Sequence, residues 1–173
     1  MITIKAFWQK VQTQLKANNP VILAMVMEKK GSAPRGVGAH MFILSDGSTV
    51  DTIGGGPLEY LAIQEAKQNI KNGKSIVQTF SLNNATAGEY GMVCGGQLTV
   101  ALYCLQQKDL VQVEKALTLI NTKNKIVLSL GWQNENFDFK VYDLAESFDL
   151  KEKLTKKSLL QMDTTNQSGQ YLE

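Results

Sequence analysis

The sequence predicts an α+β domain: a mixed β-sheet flanked by helices. Three observations lead there. Apolar residues recur at helical spacing in three separated segments. Alternating or near-continuous apolar runs mark seven strands between and after them. The resulting order, α-β-β-β-α-β-β-α-β-β, is neither a strict βαβ alternation nor an all-antiparallel series. A length of 173 residues suits one well-packed domain and is short for two.

The first helix is expected over Ile4 to Asn18, where Ile4, Phe7, Val11 and Leu15 share a face and Asn18-Asn19-Pro20 supplies the stop. Val21 to Met27 reads as a buried strand, and Gly31 to Gly38 as a loop. Ala39 to Ser45 and Ser48 to Ile53 are two strands joined at Asp46-Gly47, a strong hairpin signal. His40, Phe42 and Leu44 fall on one face of the first strand and Ala39, Met41 and Ile43 on the other, so both faces are expected to be covered. A helix follows from Pro57 to Asn72, with Pro57 at its first position and Gly73 as its cap.

Ser75 to Leu82 and Gln97 to Leu105 are the next strands, separated by a polar, small-residue loop that leads into Cys94. In the second of them Cys104 aligns with Leu98, Val100 and Leu102, which makes it ordinary core. Val111 to Thr122 forms a third helix on Val113, Leu117 and Ile120. Ile126 to Leu130 and Phe137 to Tyr142 make a hairpin turning across Gly131-Trp132-Gln133-Asn134. The pattern weakens after Asp143, so residues 1–143 are taken as the domain and 144–173 as an extension, in which Leu150 to Leu160 reads as a helix or a loosely held strand.

Charge and composition narrow the function. The net charge is only +2, and the basic residues are scattered, which disfavours nucleic acid as a partner. No apolar run approaches the ~20 residues that span a bilayer, and the first residues lack the pattern of a signal peptide, so a cytoplasmic protein is expected. A continuous strand between Cys94 and Cys104 would hold them far beyond disulfide reach, so both read as free thiols.

Three Gly-rich loops adjoin strands: Gly31 to Gly38, Gly54 to Gly56, and Gly91 to Gly96. Tight turning explains any one of them; Arg35 and Cys94 embedded among them suggest chemistry as well. Gly54-Gly55-Gly56 before a helix suits an anion, although no Lys-Ser/Thr or Gly-x-Gly-x-x-Gly pattern makes it a P-loop or a Rossmann turn. Arg35 suits a phosphate or, equally, solvent. Glu59 is placed to cap the helix by bonding back to its first amides. His40 is the chain's one histidine and reads as a satisfied or half-exposed structural residue. No Cys/His cluster suggests zinc or a hydrolytic pair. Cys94, between glycines, is suited to ligating a soft metal or carrying sulfur, with the amides of Gly95 and Gly96 beside it.

Gly31-Ser32-Ala33-Pro34-Arg35, Gly38-Ala39-His40-Met41, Thr52 to Glu59 (TIGGGPLE) and Gly91 to Gly96 (GMVCGG) together resemble the N-terminal domain of the XdhC/CoxI family, over about residues 20–105. The resemblance implies a maturation factor that binds the molybdenum cofactor (molybdopterin), protects it while its terminal sulfur is installed, and delivers it to a xanthine dehydrogenase-type molybdenum hydroxylase. On this chain it makes Cys94 the residue that touches molybdenum or its sulfur, with Gly95, Gly96 and Ser32 as neighbouring cofactor contacts. Assigning Arg35, Gly54, Gly55 and Gly56 to the pterin's phosphate is an inference from their chemistry. Longer members continue into a Rossmann-type domain; no such motif follows Leu105, and none is expected here. A cysteine desulfurase and a second copy of the chain are further expected partners. Two other readings stand beside this one: Cys94 as a catalytic persulfide carrier, and a non-catalytic regulatory module.

Overall fold

The structure, a computed structural model, describes residues 3–32, 35–81, 96–122, 125–146, 157–162 and 169–171. The α+β class expected from the sequence is what it shows. The strands fall into two sheets, and the chain divides into two compact units, Pro20–Cys104 and the segments Met1–Asn19 with Leu105–Glu173.

The unit Pro20–Cys104 holds a five-stranded sheet in the order β3-β2-β1-β5-β4. Its strands are β1 (Val21–Lys30), β2 (His40–Ile43), β3 (Thr49–Asp51), β4 (Ile76–Ser81) and β5 (Gln97–Leu105). β1 runs antiparallel to β2, β2 to β3, and β4 to β5. The hairpin turns at Asp46-Gly47 but with one more residue than expected: Leu44 and Ser48 close it around Ser45-Asp46-Gly47, Gly47 has φ of 83°, and Asp46 Oδ1 accepts the Ser48 amide at 2.8 Å. Helix α2 (Gly56–Asn72) ends at Gly73, whose φ of 61° is the left-handed cap.

Both faces of β2 are buried, as its apolar pattern requires. Met41 and Ile43 join Ile22, Ala24, Leu98, Val100 and Leu102 in a cluster that takes in Leu58, Ala62 and Ala66 of α2. Small residues on α2 at helical spacing let the helix approach the sheet closely. Cys104 is a free thiol in this cluster, 2% exposed, and its amide donates to Ser75 Oγ at 2.9 Å.

The second unit carries α1 (Ile4–Lys16), a short 3₁₀ turn (Gln107–Asp109), α3 (Leu110–Asn121) and a sheet in the order β7-β6-β8-β9. Its strands are β6 (Ile126–Gln133), β7 (Asn136–Asp143), β8 (Lys157–Met162) and β9 (Gly169–Tyr171). Thr3 caps α1 by accepting the Ala6 amide at 3.2 Å, and α1 packs on α3. Trp8 is buried with Phe7, Val11 and Leu15, so the apolar stripe of α1 is wider than its spacing suggested. On α3 it is Ala116, not Leu117, that is buried with Val113 and Ile120.

One turn falls elsewhere than expected. Gly131, Trp132 and Gln133 are strand residues, paired with Asp138, Phe137 and Asn136, and the hairpin turns at Asn134-Glu135. Those two residues have φ of 50° and 65°, the doubly left-handed geometry that fits the twist of a two-residue hairpin. Asn134 tolerates that conformation; the glycine at 131, which looked like the breaker, does not supply it. Among the described residues no helix is long and apolar enough to cross a membrane.

Leu102 is fully buried in the cluster under α2. Leu102→Ala is expected to cost about 2–5 kcal/mol of unfolding free energy, measured by urea denaturation of the two proteins.

Candidate functional site

The described site lies where β2, β3 and the start of α2 meet. Gly54, Gly55 and Gly56 have φ of 134°, 72° and 67°, three consecutive conformations that side chains disfavour. This is why the chain can reverse so sharply from β3 into α2. The turn is then closed by one carboxylate. Glu59 Oε2 accepts the Thr52 hydroxyl, the Ile53 amide at 3.0 Å and the Gly55 amide at 2.8 Å. The Gly54 amide donates to Thr52 Oγ1 at 3.0 Å.

Glu59 therefore bonds back to the N-cap amide of Gly55, and it does more: its negative charge sits at the N-terminal end of α2, where the helix dipole favours it. This changes the reading of the triple glycine. The amides of Gly54 and Gly55, assigned from sequence to a phosphate, are already bonded to Thr52 and Glu59. The Glu59 carboxylate holds the Gly55 amide and the Thr52 hydroxyl holds that of Gly54, so both serve the turn.

His40 also differs from expectation. It is neither satisfied nor half-exposed: the residue is 3% exposed, and Nε2 has no hydrogen-bond partner among the described residues. Burial lowers its pKa to about 4, opposed by a hydrogen bond to the Gly38 backbone and reinforced by the charge of Arg35. The imidazole is therefore neutral near pH 7. An N–H given to the Gly38 carbonyl must come from Nδ1, because Nε2 is unpartnered; Nε2 then presents a lone pair. The ring stands edge-to-face on Phe42, centroids 5.9 Å apart.

Asp51 Oδ2 lies 3.7 Å from that Nε2. With a neutral imidazole this is no ion pair. Asp51 pairs with Met41 across the hairpin, and directly opposed residues share a face, which would point Asp51 toward the apolar cluster. Its φ of 68° breaks the alternation and brings the side chain to the His40 side. The Thr52 amide donates to Asp51 Oδ1 at 2.9 Å. Burial raises the Asp51 pKa, with Glu59 pushing the same way and the Thr52 bond and Arg35 opposing.

Of the residues expected at the site, Arg35 acts electrostatically on both His40 and Asp51. Ser32 is exposed, and Gly96 is buried at the entry to β5. Cys94 and Gly95 lie outside the described residues. Among the described residues no group of three or more His, Cys, Asp or Glu is placed to hold a metal ion. Asp51 was missed from sequence. A two-residue turn at Asp46-Gly47 would have set it opposite Phe42, whereas the three-residue loop sets it opposite Met41, and no sequence signal announces its left-handed backbone.

The site thus belongs to a small α+β module whose glycine turn is closed by its own helix. Residues 14–81 match the model of the XdhC and CoxI family. The match contains three of the four motif blocks, those at 31–35, 38–41 and 52–59; the Cys94 block follows it. The Escherichia coli K12 protein YqeB, described as uncharacterized, is 35% identical over 83 residues, covering 48% of this chain and 15% of YqeB. A crystal structure described as a xanthine dehydrogenase from Bacillus halodurans aligns over 96% of this chain and 45% of that one, with a TM-score of 0.57 and 15% identity. That similarity is one of fold. The chain spans less than half the length of either protein.

Two outcomes test the site. Glu59→Ala strips three donors of their acceptor and is expected to cost roughly 2–3 kcal/mol, with Glu59→Gln costing less, both by chemical denaturation. The His40 shift gives a pH dependence. Its folded pKa lies below the ordinary 6.5, so the unfolded chain takes the proton first, and stability falls as pH drops from about 6.5 to about 4. At about 1.4 kcal/mol per pH unit the loss is on the order of 3 kcal/mol, and His40→Phe should flatten that part of the profile.

Proposed function

We propose that this chain is a maturation factor for a xanthine dehydrogenase-type molybdenum hydroxylase. It binds the molybdenum cofactor and passes it to that enzyme, with the Cys94 thiolate as the ligand to molybdenum or its sulfur. One observation carries the reading: the family match over residues 14–81, followed directly by the thiol block that completes the motif set. The fold it shares with a protein described as a xanthine dehydrogenase supports the link to that enzyme class.

The residues fit such a cofactor chemically. A thiolate is a soft donor suited to a sulfur-rich metal centre. In sequence Cys94 is followed directly by Gly95 and Gly96, which add no bulk beside the thiol. Arg35 is exposed and offers two parallel donors to a phosphate; Ser32 and the Gly95 and Gly96 amides are the remaining proposed contacts. When bound, the cofactor supplies the molybdenum and its terminal sulfur, and the protein's share is to hold and shield them. The hydroxylase, a desulfurase that provides sulfur, and a second copy of the chain are the proposed partners.

The test is cofactor binding by Cys94→Ala. Equilibrium binding of molybdopterin, read by the pterin's fluorescence after oxidation, should weaken at least tenfold while circular dichroism stays unchanged. Equal binding by the variant contradicts the assignment of the thiol.

A further inference from the structure

The proposed role of Cys94 leaves the His40–Asp51 pair unused. Its geometry is unusual. Nε2 of a buried, neutral imidazole and Oδ2 of Asp51 face each other at 3.7 Å, too far for a direct hydrogen bond. Both atoms are acceptors. Asp51 Oδ1 is tied to the Thr52 amide at 2.9 Å, so Oδ2 is the oxygen left for another donor. Arg35 is close enough for its charge to act on both groups.

We propose that His40 Nε2 and Asp51 Oδ2 form a recognition site for the donor edge of a 2-amino-4-oxopyrimidine, here that of the cofactor's pterin. Such an edge presents an amino donor, a ring N–H donor and a carbonyl acceptor in a row. The protein presents two acceptors to match the amino and ring N–H donors. A buried acceptor with no partner is costly, and a ligand N–H removes that cost. A bond to a carboxylate is stronger than one between neutral groups, which makes Asp51 the anchor. Asp51 also marks the entrance, since its side chain is 27% exposed whereas His40 is covered. The ligand enters on that side and parts the pair as it binds. The inference rests on the cofactor-binding reading and deepens it, without requiring any role for Cys94.

His40 is the chain's one histidine, so in tag-free protein its imidazole nitrogens give unambiguous NMR signals. Titration with pterin should shift the Nε2 resonance saturably. Lumazine, in which an oxo group replaces the 2-amino group, should bind at least tenfold more weakly. Asp51→Asn should weaken pterin at least tenfold and leave lumazine little changed, and Cys94→Ala should keep the wild-type pattern. Equal affinity for pterin and lumazine, pterin binding that leaves Nε2 unmoved, or no pterin binding overturns the proposal. Guanosine carries the same edge on a purine, and tighter binding of guanosine than of pterin overturns the pterin assignment. Because Cys94→Ala is a separate arm, failure of the thiol's role and failure of this site are read independently.

Discussion

The arrangement depends on one carboxylate. Glu59 Oε2 gathers the Thr52 hydroxyl and the amides of Ile53 and Gly55, all from the segment just before its own helix. Three successive glycines with positive φ would otherwise cost a great deal of backbone entropy to fix, and their amides would be unpaired at a helix start. A single side chain one turn into α2 takes the Gly55 amide directly and, through the Thr52 hydroxyl it holds, orients the acceptor of the Gly54 amide. The helix dipole favours the same charge at the same place. Turn, cap and helix position are therefore a single feature.

From that feature the neighbouring chemistry follows. The clamp fixes Thr52, and the Thr52 amide fixes Asp51 Oδ1. Asp51 then leaves the strand's alternation and stands beside His40 instead of beneath α2. His40 comes from β2, whose two buried faces hold it in register with Met25. A residue with left-handed backbone and a buried imidazole whose Nε2 has no partner among the described residues thus meet on one hairpin, within reach of the charge of Arg35. Local strain kept in place by the surrounding structure is characteristic of sites that bind something.

Much of this fold was legible in the sequence, for definite reasons. α1, α2 and β5 carry unbroken periodicity and sit between clear stop signals such as Asn18-Asn19-Pro20 and Gly73. Asp46-Gly47 marked the β2–β3 hairpin, although the loop takes in Ser45 as well and so moves the register by one residue. Glu59 was recognisable as a cap from its offset to the helix start. What escaped depended on backbone conformation that no residue type advertises. Asn134-Glu135 turns where Gly131 looked the better breaker, and Asp51 leaves its face through a positive φ. The glycine amides looked free for an anion because sequence cannot show that Glu59 reaches Gly55 as well as Ile53. His40 was misjudged because burial on both faces of β2 leaves its Nε2 no donor among the described residues. The strands in 157–162 and 169–171 lie in a weakly patterned stretch, the first in its lysine-rich part; they become visible only through the pairing of β8 with β6 and of β9 with β8.

Hydrogen exchange at the Gly55 amide tests this account most directly. Gly55 lies in a turn with no strand neighbour, so its protection depends on the Glu59 carboxylate. The account predicts slow exchange at Gly55 in the native protein and rapid exchange once Glu59 is replaced by alanine, with β1 protected in both. Rapid exchange at Gly55 in the native protein, with β1 still protected, would contradict it.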